Sequence, residues 1–176
     1  MCRAVRGDGA RMSSPIQLQV NGQLHVLQLE PHTLLIDGLR HSLGLLGTHQ
    51  GCDTAQCGAC TVQVDGQAVK SCNVLALQVQ GRAVRTIEGL ASAPERLHPM
   101  QKAFSKHHAL QCGFCTPGFL MRAVALANEP QAAQNPINPQ WVRQAIGGNL
   151  CRCTGYEGIV QAICEGLDVM RQVGTP

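Results

Sequence analysis

GCDTAQCGACTVQVDGQAVKSC, residues 51–72, sets three cysteines in a short loop and a fourth across a hairpin. Cys52, Cys57 and Cys60 follow the spacing C-x4-C-x2-C, and Cys72 closes the return strand. Asp65-Gly66 is a two-residue turn signal between the apolar-alternating stretches Thr61–Val64 and Gln67–Cys72. Upstream, Ile16–Val20, Asn21-Gly22 and Gln23–Leu29 predict a first hairpin by the same logic. Pro31 and Thr33 then precede Leu34, Leu35, Leu39 and Leu43, a helical spacing with Thr33 as the expected N-cap. Ala83–Glu88 predicts one more strand. Strands wrapped around one helix make a small α+β domain over residues 15–89.

Beyond Gly89 the period changes. Apolar positions over Leu97–Leu110, Pro117–Ala127, Pro139–Ile146 and Gly158–Met170 fall at helical spacing, so residues 90–176 read as an all-helical second domain. Pro117 and Pro139 sit where a first helical turn tolerates proline, and Gly147-Gly148 is a stop signal. EPQAAQNPINPQ between them reads as a connecting loop. With no internal repeat, the two halves are different modules.

Hydrophobic residues make up 44% of the 176, enough for two real cores, while charged residues are 14% and the net charge is +3. Arg3, Arg6 and Arg11 against Asp8 account for much of that charge, so no basic patch remains to argue for nucleic acid. One Trp, one Tyr and three Phe leave few platforms for stacking bases. No apolar run approaches the roughly 20 residues of a membrane span. Residues 1–14, MCRAVRGDGARMSS, lack a signal-peptide core and an Arg-Arg pair; they read as a disordered tail in which Met12 competes with Met1 as the start. The reading is cytoplasmic, where cysteines serve as metal ligands or redox groups rather than disulfides, and there are 10.

The set Cys52, Cys57, Cys60 and Cys72 has the spacing of a plant-type [2Fe-2S] loop, in which each iron takes two thiolates. Gly51 and Gly58 let the backbone approach inorganic sulfide, where N–H groups stabilise an added electron. A structural zinc site is the rival, but zinc knuckles pair C-x2-C units. The second set, Cys112 and Cys115 in QCGFCTPG with Cys151 and Cys153 in GGNLCRCTGY, is open by spacing alone between zinc and a cluster. No close histidine pair supports a Rieske centre, and the seven histidines, His107-His108 included, read as surface or helix-face residues. Cys2 lies in the tail, and Cys164 aligns with Val160 and Leu167 as a packed helix residue, so neither is a ligand.

GCDTAQCGACTV (51–62), QCGFCTPG (111–118) and GGNLCRCTGY (147–156), in that order, closely resemble the iron-sulfur subunit of the molybdenum hydroxylases. That is the family of xanthine dehydrogenase, aldehyde oxidoreductase and aerobic carbon monoxide dehydrogenase, and the resemblance covers about residues 15–170. It resolves the second set as a second [2Fe-2S] cluster. It also implies a ferredoxin-like β-grasp domain followed by a four-helix-bundle domain. Many members are Gly-rich between the first two cysteines, whereas this chain has Asp53, Thr54, Ala55 and Gln56. That variant looks most like the small subunit of carbon monoxide dehydrogenases.

With no dinucleotide fingerprint and no length for further cofactor domains, the chain relays electrons and performs no substrate chemistry. The resemblance implies two partners, a large subunit binding molybdopterin cytosine dinucleotide and a medium subunit binding FAD. Electrons would pass from molybdenum to the cluster on Cys112, Cys115, Cys151 and Cys153, then to that on Cys52, Cys57, Cys60 and Cys72, then to FAD. It further implies that Gln111 and Cys153 lie against the pterin. A free-standing ferredoxin-like carrier would want a strongly charged docking face, which this composition does not supply. A zinc-stabilised interaction module would be colourless.

Overall fold

The computed structural model describes residues 14–93, 95–133 and 136–174. Of the tail expected over residues 1–14, only Ser14 is among them; Cys2 and Met12 lie outside the described residues.

Both predicted hairpins form. β1 (Ser14–Val20) and β2 (Gln23–Leu29) pair antiparallel from Ser14↔Leu29 to Val20↔Gln23, and β3 (Thr61–Val64) pairs β4 (Gln67–Lys70). Their turns carry positive φ at both central residues, Asn21 and Gly22 in one and Asp65 and Gly66 in the other. This is the turn whose twist matches the flanking strands. β5 (Ala83–Arg85) runs parallel to β1 and antiparallel to β3, giving a mixed five-stranded sheet in the order β2-β1-β5-β3-β4. Ile16, Leu18, Val20, Val62, Val64 and Val84 bury one face against Leu35 and Leu39 of the helical crossover.

That crossover departs from expectation at its start. Leu34, not Thr33, is the N-cap of α1 (Leu35–Asp37), with no side-chain cap. Thr33 O accepts from Ala76 N–H and Leu34 bridges Leu75, so this stretch is drawn into strand-like pairing before the helix can begin. α1 then widens into a π-turn over Gly38–Ser42. Arg40, on that turn, donates to Leu46 O and Thr48 O at 2.9 and 2.8 Å and so holds the approach to the first cysteine loop.

Two strand ends also differ from the sequence reading. β4 stops at Lys70, and Cys72 lies on a 3-10 turn, Ser71–Asn73. Ser71 turns both its N–H and its hydroxyl back to Cys60 O, which ends the ladder and swings Cys72 toward Cys60. β5 ends at Arg85 and passes into a 3-10 turn, Ile87–Gly89.

The second half is helical: α2 (Pro99–Lys106), α3 (Thr116–Leu126), α4 (Pro139–Ala145) and α5 (Glu157–Val173) pack around Met100, Phe104, Phe119, Ile159, Ile163 and Leu167. Prolines open α2, α3 and α4, where their missing N–H costs nothing. One of the histidines read as surface or helix-face residues is a buried cap instead: His98 is 6% exposed and caps α2, its Nδ1 accepting from Met100 N–H at 3.2 Å. Cys164 is half-buried against the helical core, as its alignment on α5 required.

The two halves share a wall. Thr61 and Gln63 alternate with Val62 and Val64, yet all four are buried, because α3 covers the face of β3 that points away from the β-domain core. Gln63 Nε2 donates to Met121 O at 3.0 Å across that wall. A Cβ on Gly118 of α3 would collide with Gly58 O, so glycine is what lets the helix start lie on the first cysteine loop.

Candidate metal centres

Cys52, Cys57 and Cys60 line a loop whose backbone turns inward at Ala55 (φ 56) and Gly58 (φ 71). Lys70 closes it from outside, its Nζ donating to Ala55 O at 2.6 Å and Gln56 O at 3.2 Å. The Cys52 sulfur lies beside Cys57 and the Cys60 sulfur beside Cys72. Backbone N–H groups of Cys57 and Thr54 aimed at Cys52 hold its thiol down to about 6, the Cys57 donor lying 3.4 Å away. Burial pushes Cys57 up, and burial with the adjoining Cys60 pushes Cys72 up to about 11. Cys60 and Cys72 are buried together with Ile36, so this set has a wet end and a dry end.

The second set is built from two loops. Cys115 is the N-cap residue of α3, and Cys151 and Cys153 lie between α4 and α5. Again the sulfurs come in pairs, Cys112 with Cys153 at 3.7 Å and Cys115 with Cys151. Burial, then Cys151, pushes Cys115 up to about 12. Burial, the largest single influence, would raise Cys151, but the hydroxyl and N–H of Thr154, together with the Cys153 N–H and the Cys115 thiol, outweigh it and the net shift is downward. The close Cys112 thiol raises Cys153. Cys112, Cys153 and Gln111 are all exposed, and Leu110, Phe114 and Leu150 stand exposed around them.

The two sets meet. Leu150 N–H donates to Cys57 O at 2.9 Å, and Asn149 Nδ2 donates to Gly58 O at 2.9 Å and Thr61 Oγ1 at 3.3 Å. Asn149 is 5% exposed. A Cβ at Gly58 would press on Gly148 O and Asn149, so Gly58 has a packing role beyond the opening toward sulfide expected of it. Gly51 lies beside Phe114 and Cys57 Sγ. His49 stacks on Phe114 with ring centroids 4.8 Å apart and bonds Phe114 O through Nδ1 at 2.7 Å. Between these elements lies a cavity of about 210 Å³, lined by Cys57 from the first set and by all four cysteines of the second.

The sulfurs approach two by two, and a two-iron cluster is a group that takes two thiolates on each iron. Among the described residues no group of three or more His, Cys, Asp or Glu is arranged about a single-ion point. The eight cysteines singled out in the sequence are thus brought into two sets of four, and Cys164 stands apart from both. Lys70, Asn149, Thr154 and Tyr156 went unselected. All four lie inside the stretches quoted above; Thr154 and Tyr156 act within their own loop, Lys70 reaches back across the β3–β4 hairpin to Ala55 and Gln56, and Asn149 acts on Gly58, 91 residues away.

Residues 18–87 match the 2Fe-2S iron-sulfur cluster binding domain family, and residues 86–164 match the [2Fe-2S] binding domain family. The chain is 48% identical over 150 residues to the 6-hydroxypseudooxynicotine dehydrogenase complex subunit beta of Paenarthrobacter nicotinovorans, covering 85% of this chain and 91% of that one. It is 43% identical over 160 residues to the aldehyde oxidoreductase iron-sulfur-binding subunit PaoA of Escherichia coli O157:H7, covering 85% and 69%. Among solved structures, quinoline 2-oxidoreductase from Pseudomonas putida 86 superposes with a TM-score of 0.85 at 41% identity, covering 93% of this chain and 99% of that one. Aldehyde oxidoreductase from Desulfovibrio gigas gives a TM-score of 0.81 at 38% identity, this chain spanning 17% of its length. A β-domain and a helical domain, each presenting four paired thiols and each matched by a [2Fe-2S] family, make this chain a member of the electron-transferring iron-sulfur subunits of the molybdenum hydroxylase (xanthine dehydrogenase) family.

Proposed function

We propose that Cys52, Cys57, Cys60 and Cys72 hold one [2Fe-2S] cluster and Cys112, Cys115, Cys151 and Cys153 the other. In this reading the chain is the relay between a molybdopterin-binding large subunit and an FAD-binding medium subunit. When bound, each cluster takes up and gives back one electron, the chemistry that lets a two-electron substrate oxidation feed a flavin. The chain's own residues do the positioning. Leu150 and Asn149 tie the second thiol set to the carbonyls of Cys57 and Gly58, and α3 is seated on β3 through Gln63 and on the first cysteine loop through Gly118. The observation that carries the reading is this direct backbone join between two sets of paired thiols.

The exposed edge, Cys112 and Cys153 with Gln111 amid Leu110, Phe114 and Leu150, is the side we assign to the molybdopterin, with Gln111 and Cys153 at the contact. Apolar side chains 41%, 47% and 55% exposed around two thiols suit a surface that a partner covers. Relatives named as nicotine 6-hydroxylase and caffeine dehydrogenase, beside the quinoline and aldehyde oxidoreductases, support N-heterocycles or aldehydes as the substrate class of the complex. The Asp53–Gln56 sequence is the one pointer toward carbon monoxide. No helix among the described residues is long and apolar enough to cross a membrane, and we place the complex in the cytoplasm, where the thiols stay reduced until metallated.

The test is metal and sulfide analysis of the protein purified from its own host, with electron paramagnetic resonance of the reduced sample. Two irons and two sulfides per set, two distinct signals and co-purifying flavin and molybdenum subunits are expected. Stoichiometric zinc, a single signal with all eight cysteines intact, or a stable monomer without larger partners contradicts the proposal.

A further inference from the structure

We infer that Thr154 is a positioning residue for electron transfer, whose hydroxyl donates to the Cys151 sulfur and holds the second cluster at a higher potential than its thiolates alone would give. The inference rests on the reading of Cys151 as a cluster ligand.

The C-R-C-T-G-Y loop closes on itself through three residues. Cys151 N–H donates to Tyr156 Oη at 2.9 Å, Tyr156 N–H donates to Thr154 Oγ1 at 3.2 Å, and Thr154 Oγ1 donates to Cys151 Sγ at 3.2 Å. A threonine hydroxyl has one proton and two acceptor lone pairs. With the Tyr156 N–H directed at the oxygen, the proton is left for the sulfur. Thr154 N–H adds a second donor to the same sulfur at 3.4 Å.

The arrangement is held against strain. Gly155 and Tyr156 both have positive φ, 66° and 70°, and for tyrosine this conformation costs on the order of 1 kcal/mol. Tyr156 is kept there by its edge-on contact with Phe119, centroids 6.2 Å apart, and by the bond from Cys151 N–H. The strained residue is therefore the one that aims an N–H at Thr154 and fixes the direction of the hydroxyl proton. In the first set, Cys52 takes a backbone donor from Cys57 at 3.4 Å, a group that no side-chain substitution removes.

An electron added to a [2Fe-2S] cluster enlarges the negative charge on its sulfur ligands. A donor to one of them stabilises the reduced form and raises the potential. No bond forms or breaks: one electron enters from the reductant, and the Thr154 proton stays on oxygen. Cys151 and Cys115 are the half-buried pair of their set, Cys112 and Cys153 the exposed one, so the hydroxyl acts on a sulfur less screened by solvent than those of the outer pair.

The experiment is a reductive titration of the holo-protein followed by electron paramagnetic resonance in wild type, Thr154→Val, Thr154→Ala and Thr154→Ser. The second cluster's signal is identified as the one lost in Cys115→Ser. Thr154→Val keeps the side-chain shape and removes the donor, and should move that signal about tenfold toward the oxidised form at a given potential, roughly 59 mV for one electron. The other signal should stay in place, and Thr154→Ser should titrate like wild type. Unmoved potentials in Thr154→Val with both clusters present overturn the inference, as does an equal shift of both signals. Loss of the second cluster from both Thr154→Val and Thr154→Ala, but not from Thr154→Ser, also overturns it by reducing the hydroxyl to a structural clasp. A wild-type protein without two [2Fe-2S] signals would defeat the ligand reading itself, and this inference with it.

Discussion

Asn149 Nδ2 lies 2.9 Å from Gly58 O, so a side chain of the helical domain holds a peptide of the first cysteine loop. Beside it Leu150 N–H bonds Cys57 O, which leaves one covalent step to Cys151. Asn149→Ala should destabilise the protein by about 1–2 kcal/mol, the loss of a buried amide donor whose acceptor keeps its bond from Thr61 Oγ1. Asn149→Asp should cost more, because a carboxylate would face the carbonyl it replaces a donor for. Thermal unfolding of the two variants is the check; an Asp variant as stable as wild type would mean the seam does not depend on this amide.

Ala55 occupies a left-handed position, φ 56, in the stretch Asp53–Gln56 where the first cysteine loop turns. Alanine there carries a steric cost that glycine escapes, partly offset by the greater freedom glycine has in the unfolded chain. Ala55→Gly should therefore stabilise the protein by about 0.5–1 kcal/mol, whereas Ala55→Val should destabilise it by more than about 1 kcal/mol. Chemical denaturation of the holo-protein, with iron retained as a second readout, distinguishes the two signs.

Local chemistry made most of the architecture readable. Asn21-Gly22 and Asp65-Gly66 announced their turns because only a few residue types tolerate two successive positive φ values. The cysteine spacings announced the thiol sets because a cluster demands fixed donors, and the prolines of α3 and α4 marked helix starts. What escaped was decided by distant partners. Thr61-Val62-Gln63-Val64 has the alternation of a half-exposed strand, and nothing local reveals that α3 buries its polar face through Gln63. Thr33 had the chemistry of a cap but was claimed by Ala76, and His98 reads as polar surface until α2 folds it inward.

Burial, with a smaller contribution from Arg85, lowers His98 to about 4, and its Nε2 is buried without a hydrogen-bond partner. The folded state thus keeps the ring neutral while the unfolded chain takes up a proton near pH 6.5. Its contribution to stability is complete above pH 6.5 and is lost as pH falls from 6.5 toward 4, by at most about 3 kcal/mol. Urea denaturation at pH 7.5 and 5.5 should show that loss begin in wild type. His98→Asn, which keeps a capping side chain and does not titrate, should have a flatter profile over the same interval. Equal slopes in the two proteins would remove His98 as the source.

Gln111 is exposed beside Cys112, and Cys112 pairs with Cys153 at 3.7 Å, so the residue stands at the outer edge of the second thiol set. An exposed side chain at such a place contributes little to folding, and Gln111→Ala should change stability by no more than about 0.5 kcal/mol. If this edge faces the pterin, the same variant loses a polar contact to the cofactor and disturbs the approach through which Cys153 receives electrons. Substrate should then reduce the second cluster more slowly in the assembled complex, while dithionite reduces both clusters at the wild-type rate. Stopped-flow absorbance with each reductant separates the cases. Wild-type rates with both would take Gln111 out of the contact, and slow reduction with both would place its effect inside the chain rather than at the partner.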